Sequence, residues 1–390
     1  MILIMKTRNS LSSNHKAFLI SFVFLFSMLT LNISLFNVAG FTVTGAVVSV
    51  VFIFFNYYKL IRKYRIVNLM IFIFFLNFNA VIQIEYLDVE EFFKSYLLTI
   101  FFLVVFFHTL SNEKINLPSA SIHYLILLSS LCIIGFQFIQ MGEQFFLNSH
   151  KSWFYLAEFS TSTAEDVGRF QAASFLSYMR PISIYYEPSF LGFVLLLLYS
   201  VNGEYGQLPK VQKLLGLGIF CTLSSTIIFF FILYLVMEKS KRLTGVIIAA
   251  GICLIFILLI ILFFPEVFRL NEIFFQGTSG HERLVRPLEL TIIYLQTWPF
   301  GLALGQSSVL FNNSFFLLLL YMGVLFPLFI GFMLIFVYKN LNDIVTFYKY
   351  IIILFALLFL NGALFTLEGA FFIFIINYFL TVKRKYGIYN

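Results

Sequence analysis

Five charged side chains, in two long segments between apolar runs of the chain, are of the types that bind and act on a phosphate-bearing substrate. Arg169 and Arg180 precede Glu187 in the first segment, and Arg283 and Arg286 lie three residues apart in the second. Arginine stays protonated and donates paired hydrogen bonds to phosphate oxygens, so converging arginines favour a lipid phosphate or diphosphate ligand. The alternative is that each arginine pairs with a nearby acid or contacts lipid headgroups.

Glu187 stands directly before a proline, in the stretch Arg180-Pro-Ile-Ser-Ile-Tyr-Tyr-Glu-Pro-Ser-Phe-Leu-Gly192. Proline suits the first turn of a helix, so Glu187 is predicted at the N-terminal end of a span, where the helix dipole favours an anion. Its carboxylate either caps that helix or acts as a general base on a hydroxyl approaching an arginine-held leaving group. The neighbouring Tyr186 either belongs to an interfacial aromatic belt or stacks on a sugar.

The elements that must position these residues are membrane helices. The chain is 61% hydrophobic and only 11% charged, against about 25% charged in soluble domains. Its apolar runs are long enough to cross a hydrocarbon layer of roughly 30 Å. We therefore predict an all-α polytopic protein that forms a single integral membrane domain over residues 1–390. The predicted spans lie near 17–37, 38–56, 66–84, 92–110, 120–141, 188–202, 214–237, 243–264, 313–337, 344–360 and 362–381.

The basic residues indicate which ends of these spans face the cytoplasm, because Lys and Arg accumulate in short cytoplasmic loops. A single crossing at 214–237 leaves only 13 of the 25 basic residues inside. A turn back near Ser224, Ser225 and Thr226 places 18 basic residues inside with 4 acids. We therefore expect a pair of half-spanning helices there, giving about 12 helical segments and cytoplasmic termini. The alternative is one ordinary span whose hydroxyls bond back to their own helix.

Two predicted outer segments, residues 142–187 and 265–312, are much longer than ordinary connections, and long loops are usually functional or disordered. Both are rich in apolar residues. Ser162-Thr-Ala-Glu165 and Ser279-Gly-His-Glu282 are capping-box patterns, each followed by apolar residues at helical spacing. We expect a helix at the outer interface in each loop. In the second loop the stripe comprises Leu284, Leu288, Ile292 and Leu295.

Several other chemistries find no support in the sequence. The three cysteines lie in apolar runs, so we expect neither a disulfide framework nor a metal site. The chain has no glycine-rich phosphate loop, and nucleotide-driven chemistry is not expected. The formal net charge of +7 reflects membrane orientation, so no nucleic-acid partner is expected either.

Polar residues inside the spans form a further set. Glu368 is predicted within the last span, where an acid is costly and is therefore a functional candidate. It either lines an acceptor cavity or makes a structural hydrogen bond. Asn77, Asn79, Gln137 and Gln140 are predicted to make interhelical contacts rather than to bind a ligand.

Three stretches of the sequence resemble motifs of a known family. The stretch from Arg180 to Gly192, with its Glu-Pro-Ser, resembles the end of the large periplasmic loop in bacterial O-antigen polymerases of the Wzy type and the related O-antigen ligases. The stretch from Arg283 to Gly305 is similar to that superfamily's second loop, in which an arginine-bearing helix precedes a proline and spaced glycines. Asn312-Asn-Ser-Phe315 and Tyr321-Met-Gly-Val-Leu325 resemble the opening of its next span.

The resemblance implies a glycosyltransferase of the GT-C type at the periplasmic face of the bacterial inner membrane, with no metal or other cofactor. Its donor and acceptor would be undecaprenyl-diphosphate-linked glycans. Arg180 and Arg286 would stabilise the departing diphosphate, and Glu187 would activate the acceptor hydroxyl. The remaining predicted substrate-binding residues are Arg169, Arg283, Glu368, Tyr186 and Asn313. Whether a chain-length regulator protein also binds is left open.

Two alternatives remain beside the polymerase. A ligase would transfer the polymer to lipid A core, but ligases tend to carry a His before the Asn where this chain has Asn312 and Asn313. A flippase for the same lipid-linked unit would also have about 12 spans, but normally with short loops and with charges distributed within the helices. The long arginine-bearing loops favour the enzyme.

Overall fold

The computed structural model describes most of the helical part of the chain. The described residues are 29–30, 34–38, 41–45, 47–48, 66–109, 119–147, 181, 183, 185, 187–206, 208–239, 251, 281–304, 313–341, 343–360 and 366–382. The predicted spans at 17–37 and 38–56 are described only in part. The predicted span at 243–264 and the predicted helix of the first long loop lie outside the described residues, apart from Gly251.

Helices account for most of the described residues. In chain order they are α1 Ile66–Ile82, α2 Val89–Thr109, α3 Ser119–Leu147, α4 Pro188–Val201, α5 Pro209–Cys221, α6 Ser225–Lys239, α7 Arg286–Thr297, α8 Ser314–Met322, α9 Phe326–Leu341, α10 Ile344–Leu358 and α11 Leu367–Val382. Short 3-10 turns occupy Ile84–Tyr86 and Gly323–Leu325, and π-helical turns occupy Asn202–Gly206 and His281–Val285.

One short β-ribbon departs from the all-helical expectation. Strand β1, Ser34–Val38, pairs antiparallel with β2, Phe41–Thr44, where the hydropathy predicts the junction of the first two spans. Only two residues separate the strands, which is the commonest length for a hairpin connection. The β-branched Thr42, Val43 and Thr44 also favour strand over helix.

The described helices carry the apolar character of a membrane protein. Two stretches of the described residues, Ile126–Leu147 and Ser314–Leu341, are long and apolar enough to cross a bilayer by length and composition. Five shorter apolar helices accompany them among the described residues. The helical class is therefore confirmed, whereas the number of about 12 segments stays a prediction.

The predicted span at 214–237 is interrupted. Helix α5 ends at Cys221 and α6 begins at Ser225, and Leu223 between them has a positive φ of 49°. At 1.5 Å per residue the two helices are about 20 and 22 Å long, so neither crosses a layer of roughly 30 Å alone. One continuous helix is thus excluded, as the half-spanning pair requires.

The chain forms two compact units. The first comprises residues 1–57, 113–228 and 382–390, and the second comprises 58–112 and 229–381. In the first unit every residue of α4 is buried. The amide of Gln137 in α3 donates to the carbonyl oxygen of Gly218 in α5 at 2.8 Å, which confirms its predicted interhelical role.

The second unit packs phenylalanines between its helices. The rings of Phe72 and Phe329 lie 4.6 Å apart, and those of Phe107 and Phe336 lie 4.9 Å apart. Asn377 of α11 donates to the carbonyl oxygen of Phe106 in α2 at 3.1 Å and accepts from the Tyr350 hydroxyl at 2.5 Å. These polar contacts join α2, α10 and α11 within the apolar interior.

Candidate active site

Glu187 occupies the N-cap position of α4, as the proline after it predicts. Its backbone is extended, with φ −141° and ψ 137°, and its carbonyl oxygen accepts from the Leu191 amide at 3.1 Å. Its side chain is only 3% exposed and makes no capping hydrogen bond to the helix. The structure therefore removes helix capping as the explanation for this carboxylate.

The segment before Glu187 is held by a glutamine side chain. The amide of Gln140 in α3 donates to the Ser183 carbonyl oxygen at 2.8 Å, and its oxygen accepts from the Ser183 amide at 2.7 Å. The Ser183 hydroxyl also donates to the carbonyl oxygen of Ile133 at 2.8 Å. Ser183 is fully buried and has a φ of 54°, a strained conformation for a residue with a β-carbon. We call this arrangement the Gln140 clamp.

The residues between the Gln140 clamp and α4 are buried as well. Pro181 is buried, and the Tyr185 ring, 3% exposed, lies 5.6 Å from the ring of Phe190. Burial raises the pKa of the Tyr185 hydroxyl far above its usual range, because desolvation disfavours the phenolate. Tyr185, two residues before the buried Glu187, therefore stays neutral.

In the second unit, Arg286 begins α7 directly after the π-helical turn His281–Val285. The helix predicted from the sequence of the second loop is thus confirmed. Pro287 and Thr291 are buried, and the Thr291 hydroxyl donates to the Pro287 carbonyl oxygen at 2.6 Å. Leu290, Tyr294 and Trp298 pack against the buried side chains of Leu302 and Leu320.

The apolar stripe predicted for this helix is exposed and is not packed against the rest of the second unit. Leu284, Leu288 and Ile292 are 37%, 43% and 51% exposed, whereas the packed face is formed by other residues. An exposed apolar stripe on a helix of a membrane protein is the pattern expected of an interfacial helix. Arg286 is exposed on the same element.

The segment after α7 is held by two amides of α1. Gln83, just beyond α1, donates to the Gly301 carbonyl oxygen at 2.8 Å and accepts from the Ala303 amide at 3.0 Å. Asn79 donates to the carbonyl oxygens of Phe300 at 3.1 Å and Tyr321 at 3.0 Å. We call this arrangement the Gln83 clamp.

Two glycines, Gly301 and Gly323, belong to the motifs that resemble the polymerase superfamily, and both are needed for a close backbone contact. Gly301 has a φ of 104° and Gly323 a φ of 50°. A β-carbon on Gly301 would overlap the Tyr321 carbonyl oxygen, and one on Gly323 would overlap the Pro299 carbonyl oxygen. The close approach is fixed by hydrogen bonds of 2.9 Å from the Leu302 amide to the Leu320 carbonyl oxygen and from the Val324 amide to the Pro299 carbonyl oxygen. Only glycine permits this backbone contact.

Two predicted substrate-binding residues have structural positions that the sequence did not indicate. The Asn313 side chain is fully buried and caps α8, accepting from the Phe315 amide at 2.9 Å. Glu368 lies in the first turn of α11, where the Thr366 hydroxyl oxygen accepts from the Gly369 amide at 3.1 Å. Its place within the last apolar helix agrees with the expectation, and the N-terminal end of a helix favours a carboxylate.

The remaining predicted site residues are not placed. Arg169, Arg180 and Tyr186 lie outside the described residues. The backbone of Arg283 lies in the π-helical turn, but its side chain is not among those that the structure describes. Glu187 belongs to the first unit and Arg286 to the second. Among the described residues, no group of three or more His, Cys, Asp and Glu side chains is arranged to hold a metal ion.

The comparison with known families decides the affiliation. The WcaD colanic acid polymerase family matches residues 19–385, nearly the whole chain. The chain belongs to this family. No curated protein and no solved structure matches it. Membership of a polysaccharide polymerase family agrees with the resemblance found in the motifs, and it marks the apolar helices as those of a membrane protein.

Sequence reasoning missed the two clamps of this WcaD-family chain. It assigned Asn79 and Gln140 to interhelical contacts. Asn79 does contact Tyr321 of α8, but it also bonds to the Phe300 carbonyl oxygen, and Gln140 bonds to the backbone of Ser183. It also passed over Glu143, one turn beyond Gln140, whose carboxylate has one buried oxygen without a hydrogen-bond partner among the described residues. The available signal was an amide or acid near the end of a predicted span, as for Gln83, Gln140 and Glu143.

Proposed function

We propose that this protein is a polysaccharide repeat-unit polymerase that acts on undecaprenyl-diphosphate-linked glycans at the periplasmic face of the inner membrane. The observation that carries the proposal is the family match over residues 19–385. The buried Glu187, which does not cap its helix, supplies a group suited to the chemistry.

The proposed reaction joins two lipid-linked glycans. The acceptor hydroxyl oxygen forms a bond to the anomeric carbon of the donor glycan, and the bond from that carbon to the diphosphate oxygen breaks. Glu187 takes the hydroxyl proton, and the diphosphate leaves on its lipid carrier. Arg180 and Arg286, with Arg169 and Arg283, stabilise the charge that develops on the diphosphate without a metal. Tyr186, Glu368 and Asn313 complete the proposed substrate-binding set.

Two contacts within the second unit support the proposed topology, in which residues 214–237 form a half-spanning pair. Gln83 contacts Gly301 and Ala303, so the outer end of α1 and the second long loop lie on the same side of the membrane. Asn377 contacts Phe106, so the cytoplasmic end of α2 and the C-terminal part of α11 also share a side. A single crossing at 214–237 would place each pair on opposite sides.

Reporter fusions test this topology. A fusion after Lys241 should give an active cytoplasmic reporter and an inactive periplasmic one, and a fusion after Thr297 should give the reverse. A periplasmic signal after Lys241 would contradict the half-spanning pair. It would leave the family assignment unaffected.

Alanine variants test the function in a strain that lacks the chromosomal copy of the gene. Arg180→Ala, Arg286→Ala and Glu187→Ala should abolish long polymer and leave lipopolysaccharide capped with one repeat unit, as seen by banding on a gel. Loss of a ligase would instead leave bare core with polymer on the carrier, and loss of a flippase would leave neither. A full ladder from all three variants would show that the assigned site is wrong.

The family name points to a second product class for the same reaction. Colanic acid polymerase is the description of the matching family, whereas the motifs resemble O-antigen polymerases. The deletion strain should therefore be assayed both for lipopolysaccharide ladders and for polysaccharide released into the medium. Loss of the ladder supports an O-antigen product, and loss of released polymer alone supports an extracellular polysaccharide.

A further inference from the structure

The N-terminal end of α4 carries a second buried polar group beside Glu187. The Ser189 hydroxyl, 4% exposed, has no hydrogen-bond partner among the described residues. It follows Glu187 and Pro188 directly. In a helix the bond from Cα to Cβ tilts toward the N-terminus, so the Ser189 side chain leans toward the end of α4 where Glu187 lies.

The position of Ser189 explains why its hydroxyl does not bond to its own helix. The Thr99 and Thr291 hydroxyls donate to carbonyl oxygens four residues earlier, at 2.8 and 2.6 Å. Ser189 is the second residue of α4, so the residue four positions earlier precedes the helix and presents no such carbonyl. Burying a hydroxyl without a partner costs free energy, and a ligand that bonds to it recovers that cost.

The charge beside Ser189 selects the class of ligand. A carboxylate at Glu187 repels a phosphate but accepts hydrogen bonds from hydroxyl groups. A serine hydroxyl both donates and accepts, which suits a second hydroxyl on the same ligand. A neutral sugar meets both requirements, whereas a diphosphate is repelled by the carboxylate and has no hydroxyl group to donate to it.

We propose that the N-terminal end of α4 is the acceptor-sugar subsite, in which Glu187 receives the proton of the reacting hydroxyl and Ser189 binds a neighbouring hydroxyl of the same sugar. This inference rests on the proposed polymerase function. It assigns recognition of the acceptor sugar to Glu187 and Ser189, and recognition of the diphosphate to the arginines.

Equilibrium binding to the full-length protein in lipid nanodiscs tests the subsite with two probes. One probe is the lipid-linked single repeat unit, and the other is the bare undecaprenyl diphosphate. Ser189→Ala should weaken binding of the sugar-bearing probe about tenfold, the loss of about one hydrogen bond, and leave binding of the bare probe unchanged. Equal weakening of both probes would overturn the subsite.

Two further variants separate hydrogen bonding from packing. Ser130→Ala removes another buried hydroxyl without a partner among the described residues, in α3 of the same unit, and should bind both probes as the wild type does. Ser189→Cys keeps an atom at the γ position, slightly larger than the hydroxyl oxygen, but the thiol bonds weakly, so this variant should resemble Ser189→Ala. Wild-type binding by Ser189→Cys, or matching behaviour of Ser189→Ala and Ser130→Ala, would refute the inference.

Failure of the subsite and failure of the proposed function give different results. A wild-type protein that makes polymer while Ser189→Ala binds the sugar-bearing probe normally contradicts the subsite alone. A wild-type protein that binds the sugar-bearing probe through Ser189 and makes no polymer contradicts the polymerase function alone.

Discussion

The two clamps hold their segments in the same way, but the residues that they hold differ: one is a serine and the other is a glycine. In each, a glutamine near the end of a helix pairs through both ends of its amide with backbone groups of a segment far away in the sequence. The Gln140 clamp fixes Ser183, which has a φ of 54° despite its β-carbon. The Gln83 clamp fixes Gly301, which has a φ of 104° and no β-carbon.

This difference follows from what surrounds each segment. Gly301 lies against the backbone of Tyr321, so a side chain has no room there. Ser183 uses its side chain, which bonds to the Ile133 carbonyl oxygen and so offsets the strain of its backbone. The first clamp therefore depends on side-chain hydrogen bonds next to a buried carboxylate, and the second depends on backbone packing next to an exposed arginine helix.

The largest expected effect distinguishes Glu187 from Glu143, another carboxylate of the first unit. Glu187→Gln removes the proposed base with little change in shape, and general-base catalysis contributes about 10²- to 10⁴-fold. We expect polymer formation in membranes to fall by that factor. Glu143→Gln is the matched control and should lower the rate less than about tenfold. A larger loss for Glu143→Gln than for Glu187→Gln would transfer the role of base to Glu143.

The next effect concerns the glycines of the Gln83 clamp. Gly301→Ala and Gly323→Ala force a β-carbon into backbone oxygens and place alanine at positive φ, so each should destabilise the protein by about 2–4 kcal/mol. Heating the solubilised protein and measuring the soluble folded fraction gives the order of stabilities. Gly331→Ala in α9 has no atom near its added β-carbon and should be neutral or slightly stabilising. Equal stability of all three variants would contradict the backbone contact.

The sequence predicted the helices better than the clamps, for a physical reason. An apolar run specifies a helix locally, and α1 at Ile66–Ile82 and α10 at Ile344–Leu358 agree with predicted spans at 66–84 and 344–360 within two residues. A clamp joins an amide to backbone groups, which every residue carries. Gln83 and Gly301 are 218 residues apart, so no local pattern indicates their pairing. The spacing of the glycines can be read from the sequence, but the close backbone contact that they permit cannot.

In the candidate site, too, the features set by local sequence were predicted and the others were not. The proline after Glu187 correctly predicted a helix N-terminus, because proline restricts the backbone locally. The capping role of Asn313 is equally local, since Asn is a preferred N-cap residue, whereas its proposed substrate-binding role rests on the motif similarity. That Glu368 lies in the first turn of its helix could not be predicted from hydropathy, because an apolar run does not mark the residue at which its helix begins.

A smaller effect compares the two glutamines directly. Gln140→Ala leaves the buried amide and carbonyl of Ser183 without their side-chain partner, and Gln83→Ala does the same to Ala303 and Gly301. Each loss should cost about 2–3 kcal/mol, measured by thermal unfolding of the solubilised protein. Because the second segment retains its backbone hydrogen bonds to α8 and beyond, Gln140→Ala should be the more destabilising variant. The reverse order would show that the Gln83 clamp carries more of the stability.

The smallest effect tests how Ser183 tolerates its positive φ. Ser183→Ala loses the hydroxyl bond to Ile133 and keeps the backbone strain, whereas Ser183→Gly loses the same bond and relieves that strain. The alanine variant should therefore be less stable than the glycine variant by about 1 kcal/mol, measured by thermal unfolding. At an unstrained position the order would be reversed, because glycine loses more conformational entropy on folding. An alanine variant more stable than the glycine variant would mean that Ser183 is not held at positive φ, and the contrast between the two clamps would then disappear.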